Sequence, residues 1–298
     1  MSKIEYIIEE AKKNPKRIVL PEANDDRVRR AAKEIKKNKI AEIIPIEPLH
    51  EDALRSAALM VQRGMADSFV AGASHMTKDV IRAAIQCLGI SRSIRVVSGV
   101  FLMEIENCTY GADGFFIFAD CAVIPLPSAN QLVKIAVSSG DLLKRLFNIK
   151  PRIAFLTYSS KGSAEGESIG RMREAAVKVK DKRPDFIVDG ELQLDAAIIP
   201  DIQKRKAPDS SLEGKANVLI FPNLDAANIT YKAVERLGRA RAIGPVLLGL
   251  NKPSSDLSRG CSVDDIVGTV ALVSVMAQQA AQEKSPLSTE ERVSLKGK

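Results

Sequence analysis

The stretch "DLSRGCSVDD" (256–265) gathers a hydroxyl (Ser258), a guanidinium (Arg259), a thiol (Cys261) and two carboxylates (Asp264, Asp265) at the edge of a long apolar segment. That mixture suits group transfer. A carboxylate can take a proton from a nucleophile, a hydroxyl can hydrogen-bond a developing oxyanion, and a guanidinium can hold a phosphate through paired hydrogen bonds. Cys261, beside an arginine and a helix start, also has the setting of an acyl-carrying nucleophile. The spacing has a plainer meaning too. Ser262 and Asp265 fit an S-x-x-D capping box, in which the carboxylate bonds back to the main chain, and spacing alone puts that reading first.

Two further segments have groups suited to an anionic ligand. In "LTYSSKGSAEGES" (156–168), Ser160, Lys161, Gly162 and Ser163 form a Gly- and Ser-rich turn between a strand and a helix. Such a turn can cradle phosphate, although it lacks the spacing of a P-loop or a GxGxxG motif, and turns of this kind more often only cap a helix. In "ASHMTKDVIRAAI" (73–85), Thr77 is placed as an N-cap, with Arg82 just over one turn inside the helix. The two histidines, His50 and His75, give little support to a Ser-His-Asp triad, and His75 reads as a structural hydrogen-bonder.

Short β-branched runs alternating with amphipathic segments must position these groups. Strands are expected at 17–21, 40–46, 68–72, 93–105, 114–126, 152–160, 217–223 and 242–250, with 93–105 and 114–126 paired as a hairpin. Helices are expected at 25–38, 51–63, 77–88, 129–147 (capped by Ser128 with Gln131) and from about 263 onward, with "NKPSSD" (251–256) as a turn before the last. The alternation predicts an α/β fold with a mostly parallel sheet, where ligands sit beyond the carboxyl ends of strands near helix N-termini. The final sixteen residues, 283–298, lose periodicity and are expected to form a mobile tail.

A chain of 298 residues suggests two domains, and 45% hydrophobic with 27% charged residues is a globular balance. No apolar run reaches the ~18 residues needed to span a bilayer, and Lys3, Glu5, Glu9 and Glu10 interrupt any signal-peptide core, so a cytoplasmic protein without a membrane partner is expected. The four cysteines show no CxxC pairing, which disfavours a zinc site or a disulfide framework. A net charge of +7 favours acidic partners. The basic residues are dispersed, tryptophan is absent and aromatics make up 4%, so a phosphorylated small molecule is expected in preference to nucleic acid.

Longer phrases carry a resemblance: "IVLPEANDDRV" (18–28), "MADSFVAGASHMTKDVIRAAIQ" (65–86), "FADCAVIPLPSANQL" (118–132), "VDGELQLDAAIIP" (188–200), "IFPNLDAANITYKAVERLG" (220–238) and "DLSRGCSVDDI" (256–266). With these, the chain resembles the phosphate acetyltransferase (phosphotransacetylase) family over nearly its whole length. The resemblance implies interconversion of acetyl-CoA plus phosphate with CoA plus acetyl phosphate, with no metal or other cofactor. It also implies two three-layer α/β/α domains similar to the isocitrate and isopropylmalate dehydrogenases, in a homodimer. Residues 1–93 plus 247–298 would form the first domain and 94–246 the second. Asp265 would take the proton from the CoA thiol, Ser258 would bond the tetrahedral oxyanion, and Arg259 would hold the phosphoryl group. Arg82 would assist Arg259 in substrate binding, and Cys261 would be a packing residue. Thr77, Ser160, Lys161, Gly162 and Ser163 complete the expected substrate-binding set.

The chain departs from the family pattern in two places. Typical members carry several dozen more residues between the counterparts of 40–46 and 65, including a basic motif with a further substrate arginine. Here only 47–62 fills the gap, and Arg55 does not inherit that role because its neighbours do not match. Ser68 stands where the family usually has glycine. Three alternatives follow: a phosphate butyryltransferase, a non-catalytic acyl-CoA-binding module like the tail of some malic enzymes, and a decarboxylating dehydrogenase, which would need clustered metal-binding aspartates.

Overall fold

The structure, a computed structural model, describes residues 1–284. The expected tail at 283–298 falls almost wholly outside them. The first part of the chain forms α1 (Lys3–Lys13), β1 (Arg17–Val19), α2 (Asp26–Lys37), β2 (Glu42–Ile44), α3 (Ala53–Gln62), β3 (Ser68–Ala71) and α4 (Thr77–Leu88). The middle forms β4 (Ser98–Glu104), β5 (Phe115–Ala119), α5 (Ala129–Phe147), β6 (Arg152–Leu156), α6 (Glu167–Lys182), β7 (Ile187–Leu192), α7 (Leu194–Ile198), α8 (Pro200–Lys206), β8 (Val218–Ile220) and α9 (Leu224–Leu237). The chain then returns through β9 (Arg241–Leu248), β10 (Ser254–Asp256) and α10 (Val263–Lys284).

One ten-stranded sheet runs through the molecule in the order β2-β1-β3-β10-β9-β4-β5-β8-β6-β7. It is mainly parallel, as the alternation predicted; β9 is antiparallel to both β10 and β4, and β4 forms the expected antiparallel hairpin with β5. Helices cover both faces, so most strands are apolar on both sides, as in "SFVA" (68–71) and "FFIFA" (115–119). The last helix, α10, packs on α1, α2 and β9. Ile266, Val267, Val270, Ala271, Leu272 and Val273 are all buried, so the helix is apolar around its whole circumference.

Two local expectations are corrected. "NKPSSD" is not only a turn: Ser254–Asp256 is β10, running between β3 and β9 with its side chains buried. Its polar letters hide a strand because small hydroxyl side chains fit the tight interior, and Ser255 Oγ donates to the Pro245 carbonyl at 2.7 Å. Thr77 is not the N-cap of α4. Met76 holds that position without a side-chain bond, and the Thr77 hydroxyl is hydrogen-bonded to Asp256 instead. The Ser128–Gln131 capping box forms as expected.

β10 lies parallel to β3 in the register Ser255↔Val70 and Asp256↔Ala71, and the Leu257 N–H donates to the Ala71 carbonyl at 2.6 Å. The two strands therefore deliver their carboxyl ends side by side. Gly72 follows β3 at φ +111°, where a Cβ would strike the Leu257 main chain and Asp256 Oδ1, so only glycine lets the strand ends approach this closely.

Candidate active site

Beyond those carboxyl ends lies a cavity of about 510 Å³, its wall including Thr77, Asp256, Ser258 and Arg259 from one side and Tyr231 and Arg236 of α9 from the other. Tyr231 stacks on Phe101 with ring centroids 4.1 Å apart, giving an apolar floor. Cys121 and Ala122 also line the wall, and buried Asp120 orders them. Its Oδ1 accepts the N–H groups of Gly99, Ala122 and Val123 at 2.9, 3.0 and 3.1 Å, and its Oδ2 that of Ile124 at 2.8 Å. Lys232, Arg236 and Arg259 are cationic groups at this cavity, all on exposed residues, and Arg259 forms no ion pair among the described residues.

Ser258 to Cys261 form a compact turn. The Cys261 N–H donates to the Ser258 carbonyl at 2.9 Å, and the Gly260 N–H donates to Ser258 Oγ at 3.2 Å. Burial pushes the Cys261 thiol up to about 11, against the pull of the Arg27 guanidinium. The thiol is thus a protonated packing group at neutral pH, the role expected for it.

Asp265 lies just past this turn and forms both halves of the capping box. Its Oδ2 accepts the Ser262 N–H at 2.8 Å, and its own N–H donates to Ser262 Oγ at 3.1 Å. Asp265 is half-buried and is not among the cavity-lining residues. The box occupies Oδ2 only, and Oδ1 makes no hydrogen bond among the described residues. Across from it, on α9, burial raises the Glu235 carboxyl, with Arg236 opposing and the negative charge of Asp265 adding to the rise, so the two helix ends are electrostatically linked.

Asp256 was not singled out by its spacing. It is 1% exposed, and burial pushes its carboxyl up to about 7, against the Thr77 hydrogen bond and with help from the Glu22 charge. Glu22 organises the turn before α4. Its Oε2 accepts the Ala73 N–H at 2.8 Å, and its Oε1 accepts those of Ser74 and His75 at 2.9 and 2.8 Å. Burial works to raise Glu22, but these bonds and the His75 ring, 2.7 Å away, hold it below its usual range. His75 is the structural hydrogen-bonder expected of it.

The remaining expected residues lie elsewhere. Arg82 does not line the cavity; its side chain is 65% exposed and sits 3.6 Å from Asp79. Ser160, Lys161, Gly162 and Ser163 are likewise absent from this wall, and the turn is occupied by the protein's own groups. Lys161 Nζ donates to Asp189 at 2.6 Å, the Gly162 N–H to Glu191 Oε1 at 2.7 Å, and the Ser160 N–H to Ser163 Oγ at 3.0 Å. Two carboxylates from β7 thus hold the cation and the N–H that a phosphate would use. Sequence spacing also missed Arg27, Lys232, Arg236 and Glu22. All four lie inside phrases that carry the resemblance, but none stands in a spacing that announces a role.

Among the described residues, no group of three or more His, Cys, Asp or Glu side chains is placed to hold a metal ion. No helix among them is long and apolar enough to cross a membrane.

The sequence profile described as "Phosphate acetyl/butaryl transferase" matches residues 2–50 and 45–274. The phosphate acetyltransferase of Thermoanaerobacterium thermosaccharolyticum is 40% identical, covering 93% of this chain and 100% of that protein. The alignment runs over 328 positions, more than the chain has residues, so the relative carries segments with no counterpart here. The phosphate acetyltransferase of Acetivibrio thermocellus is 41% identical over 93% of this chain and 99% of its own length. A phosphotransacetylase structure from Streptococcus pyogenes superposes with a TM-score of 0.83 at 34% identity, covering 94% of this chain and 100% of that one. With this fold, and with profile and relatives that extend over nearly all of its length, the chain belongs to the phosphate acetyl/butaryl transferase family.

Proposed function

We propose that this protein transfers an acetyl group reversibly between CoA and phosphate, interconverting acetyl-CoA plus phosphate with CoA plus acetyl phosphate. The observation that carries this reading is the cationic cavity at the carboxyl ends of β3 and β10, where Ser258, Arg259 and Arg236 meet beside an apolar floor, in a chain whose relatives are phosphate acetyltransferases. A phosphoryl group needs the cations and an acetyl group needs the floor.

In the proposed mechanism both substrates bind together. A thiol with an ordinary pKa of ~8.5 is mostly protonated at neutral pH, so attack requires a base. Asp265 takes the proton through Oδ1, the oxygen its capping bond leaves available. The thiolate attacks the acetyl carbonyl carbon, Ser258 donates to the resulting oxyanion, and the bond to the phosphate oxygen breaks. Phosphate leaves with its charge offset by Arg259, and the proton passes from Asp265 to solvent or to the departing phosphate. Arg82, Thr77 and the 160–163 turn complete the proposed substrate contacts, for which the Lys161–Asp189 and Gly162–Glu191 bonds must first open. No metal or prosthetic group takes part.

The proposal extends to a cytoplasmic homodimer of two-lobed subunits, residues 1–93 with the described part of 247–298 forming one lobe and 94–246 the other. Four free cysteines suit a reducing compartment. The test is thiol release from acetyl-CoA with phosphate, run in parallel with butyryl-CoA. Turnover with a preference for acetyl-CoA is expected. A preference for butyryl-CoA would make the protein the sibling enzyme, and no turnover with either would make it a binding module.

A further inference from the structure

The turn that holds Ser258 and Arg259 has to be held in turn by something else, because it is exposed at Arg259 and Gly260 and projects from the sheet. Arg27, in the first turn of α2, meets that need. Its guanidinium has five N–H donors, and five oxygens surround it. Nε donates to Asp25 Oδ1 at 3.1 Å, and Nη2 donates to Asp25 Oδ2 at 2.7 Å and to the Ala73 carbonyl at 2.8 Å. Nη1 donates to the carbonyls of Arg259 and Cys261 at 2.7 and 3.0 Å. With every donor directed at a protein oxygen, none remains for a substrate.

We infer that Arg27 is a positioning residue that locks the Ser258–Cys261 turn and the Ala73–Met76 turn into one rigid wall of the cavity. The carbonyls come from segments far apart in the chain, one carrying Ser258 and Arg259 and the other leading to Thr77, and they share a single planar group. Asp25 fixes the plane from behind while capping α2 through the Arg27 N–H at 2.9 Å. Glu22 holds the other side of the Ala73–Ser74 peptide, accepting the Ser74 N–H through Oε1. Arg236 of α9 donates to the Gly260 carbonyl at 2.9 Å, so the three consecutive carbonyls of residues 259, 260 and 261 all end on guanidinium groups. Lysine cannot take over this task, because an ammonium has three donors around one point and no fork.

The inference rests on the proposed activity only for its kinetic consequence, so the test has two arms. Hydrogen exchange of the full-length protein, read by mass spectrometry, compares wild type, Arg27→Lys and Asp25→Asn, with Arg30→Met as a control on an exposed neighbour. Asparagine caps a helix about as well as aspartate, so Asp25→Asn loosens the guanidinium while sparing α2 and remains informative if Arg27→Lys folds poorly. Faster exchange is expected at both 72–76 and 257–262 in the two test variants and in neither segment of the control. The second arm is acetyl phosphate kinetics, where kcat/KM should fall tenfold or more in Arg27→Lys, mostly through KM, with a smaller loss in Asp25→Asn. Unchanged exchange in the two turns would overturn the clamp. Faster exchange with wild-type kinetics in an active enzyme would overturn its positioning role. A wild type without activity counts against the proposed function and leaves the exchange arm to decide the clamp.

Discussion

In the proposed mechanism Asp265 combines two jobs that spacing presents as rivals. A carboxylate offers two oxygens and several lone pairs, so accepting the Ser262 N–H through Oδ2 fixes its orientation without using Oδ1. The jobs are separable by mutation. Asp265→Asn is expected to lower kcat by several orders of magnitude while the protein stays folded, whereas Ser262→Ala should keep most of the activity and lose about 1 kcal/mol of stability with the cap. Full activity in Asp265→Asn, measured by thiol release, would leave the residue with capping alone. Asp256 allows a prediction of a different kind. Its carboxyl is raised from an ordinary 3.8 to about 7, so the folded protein keeps a proton there that the unfolded chain gives up. Unfolding releases that proton between those values, and the contribution of Asp256 to stability falls as pH rises through the window and is fully unfavourable above it. Urea titrations at about pH 5 and about pH 8 should therefore show Asp256→Asn gaining on the wild type by a few kcal/mol at the higher pH. A constant difference would mean that Asp256 is charged throughout.

At the scale of elements, the strand ends matter more than the helices. β3 and β10 place Thr77 and Ser258 on one cavity wall because Gly72 lets the strand ends meet without side chains between them. Gly72→Ala is expected to destabilise the fold by a few kcal/mol, through both the positive φ and the contact with the Leu257 main chain. The surviving protein should also lose activity, which a thermal melt paired with the thiol assay would record. Most of the elements were legible in the sequence. The alternation of "RIAFL" (152–156) with amphipathic helices gave the α/β class, and the S-x-x-Q and S-x-x-D spacings located two helix starts. β10 was illegible because burial of a serine-rich strand depends on its neighbours and not on its own letters. Thr77 was misplaced because its partner, Asp256, is distant in sequence. The site was legible only in part for the same reason. Ser258, Arg259 and Asp265 are close in the chain, while Arg27 and Arg236 reach the same turn through contacts that no local pattern encodes.

At the scale of the molecule, charge and connectivity set the behaviour. A net charge of +7 should draw polyanionic substrates toward the cavity, so kcat/KM at low substrate should fall as salt rises from about 0.01 to about 0.15 M. Stopped-flow or initial-rate measurements across that range would check it, and a flat response would confine the attraction to the cavity residues. The two profile matches overlap at 45–50, and the short connection from β2 to α3 passes through this region. β2 is left at the sheet's edge beside β1. The position of β10 carries a further consequence. Since β3 obtains its second neighbour only from residues 254–256, a chain emerging from the ribosome finishes its middle strands and helices while β3 still has an open edge. Nascent chains stalled before that point should therefore present a sticky, protease-sensitive amino-terminal half that clicks shut only once residues 254–256 have been made.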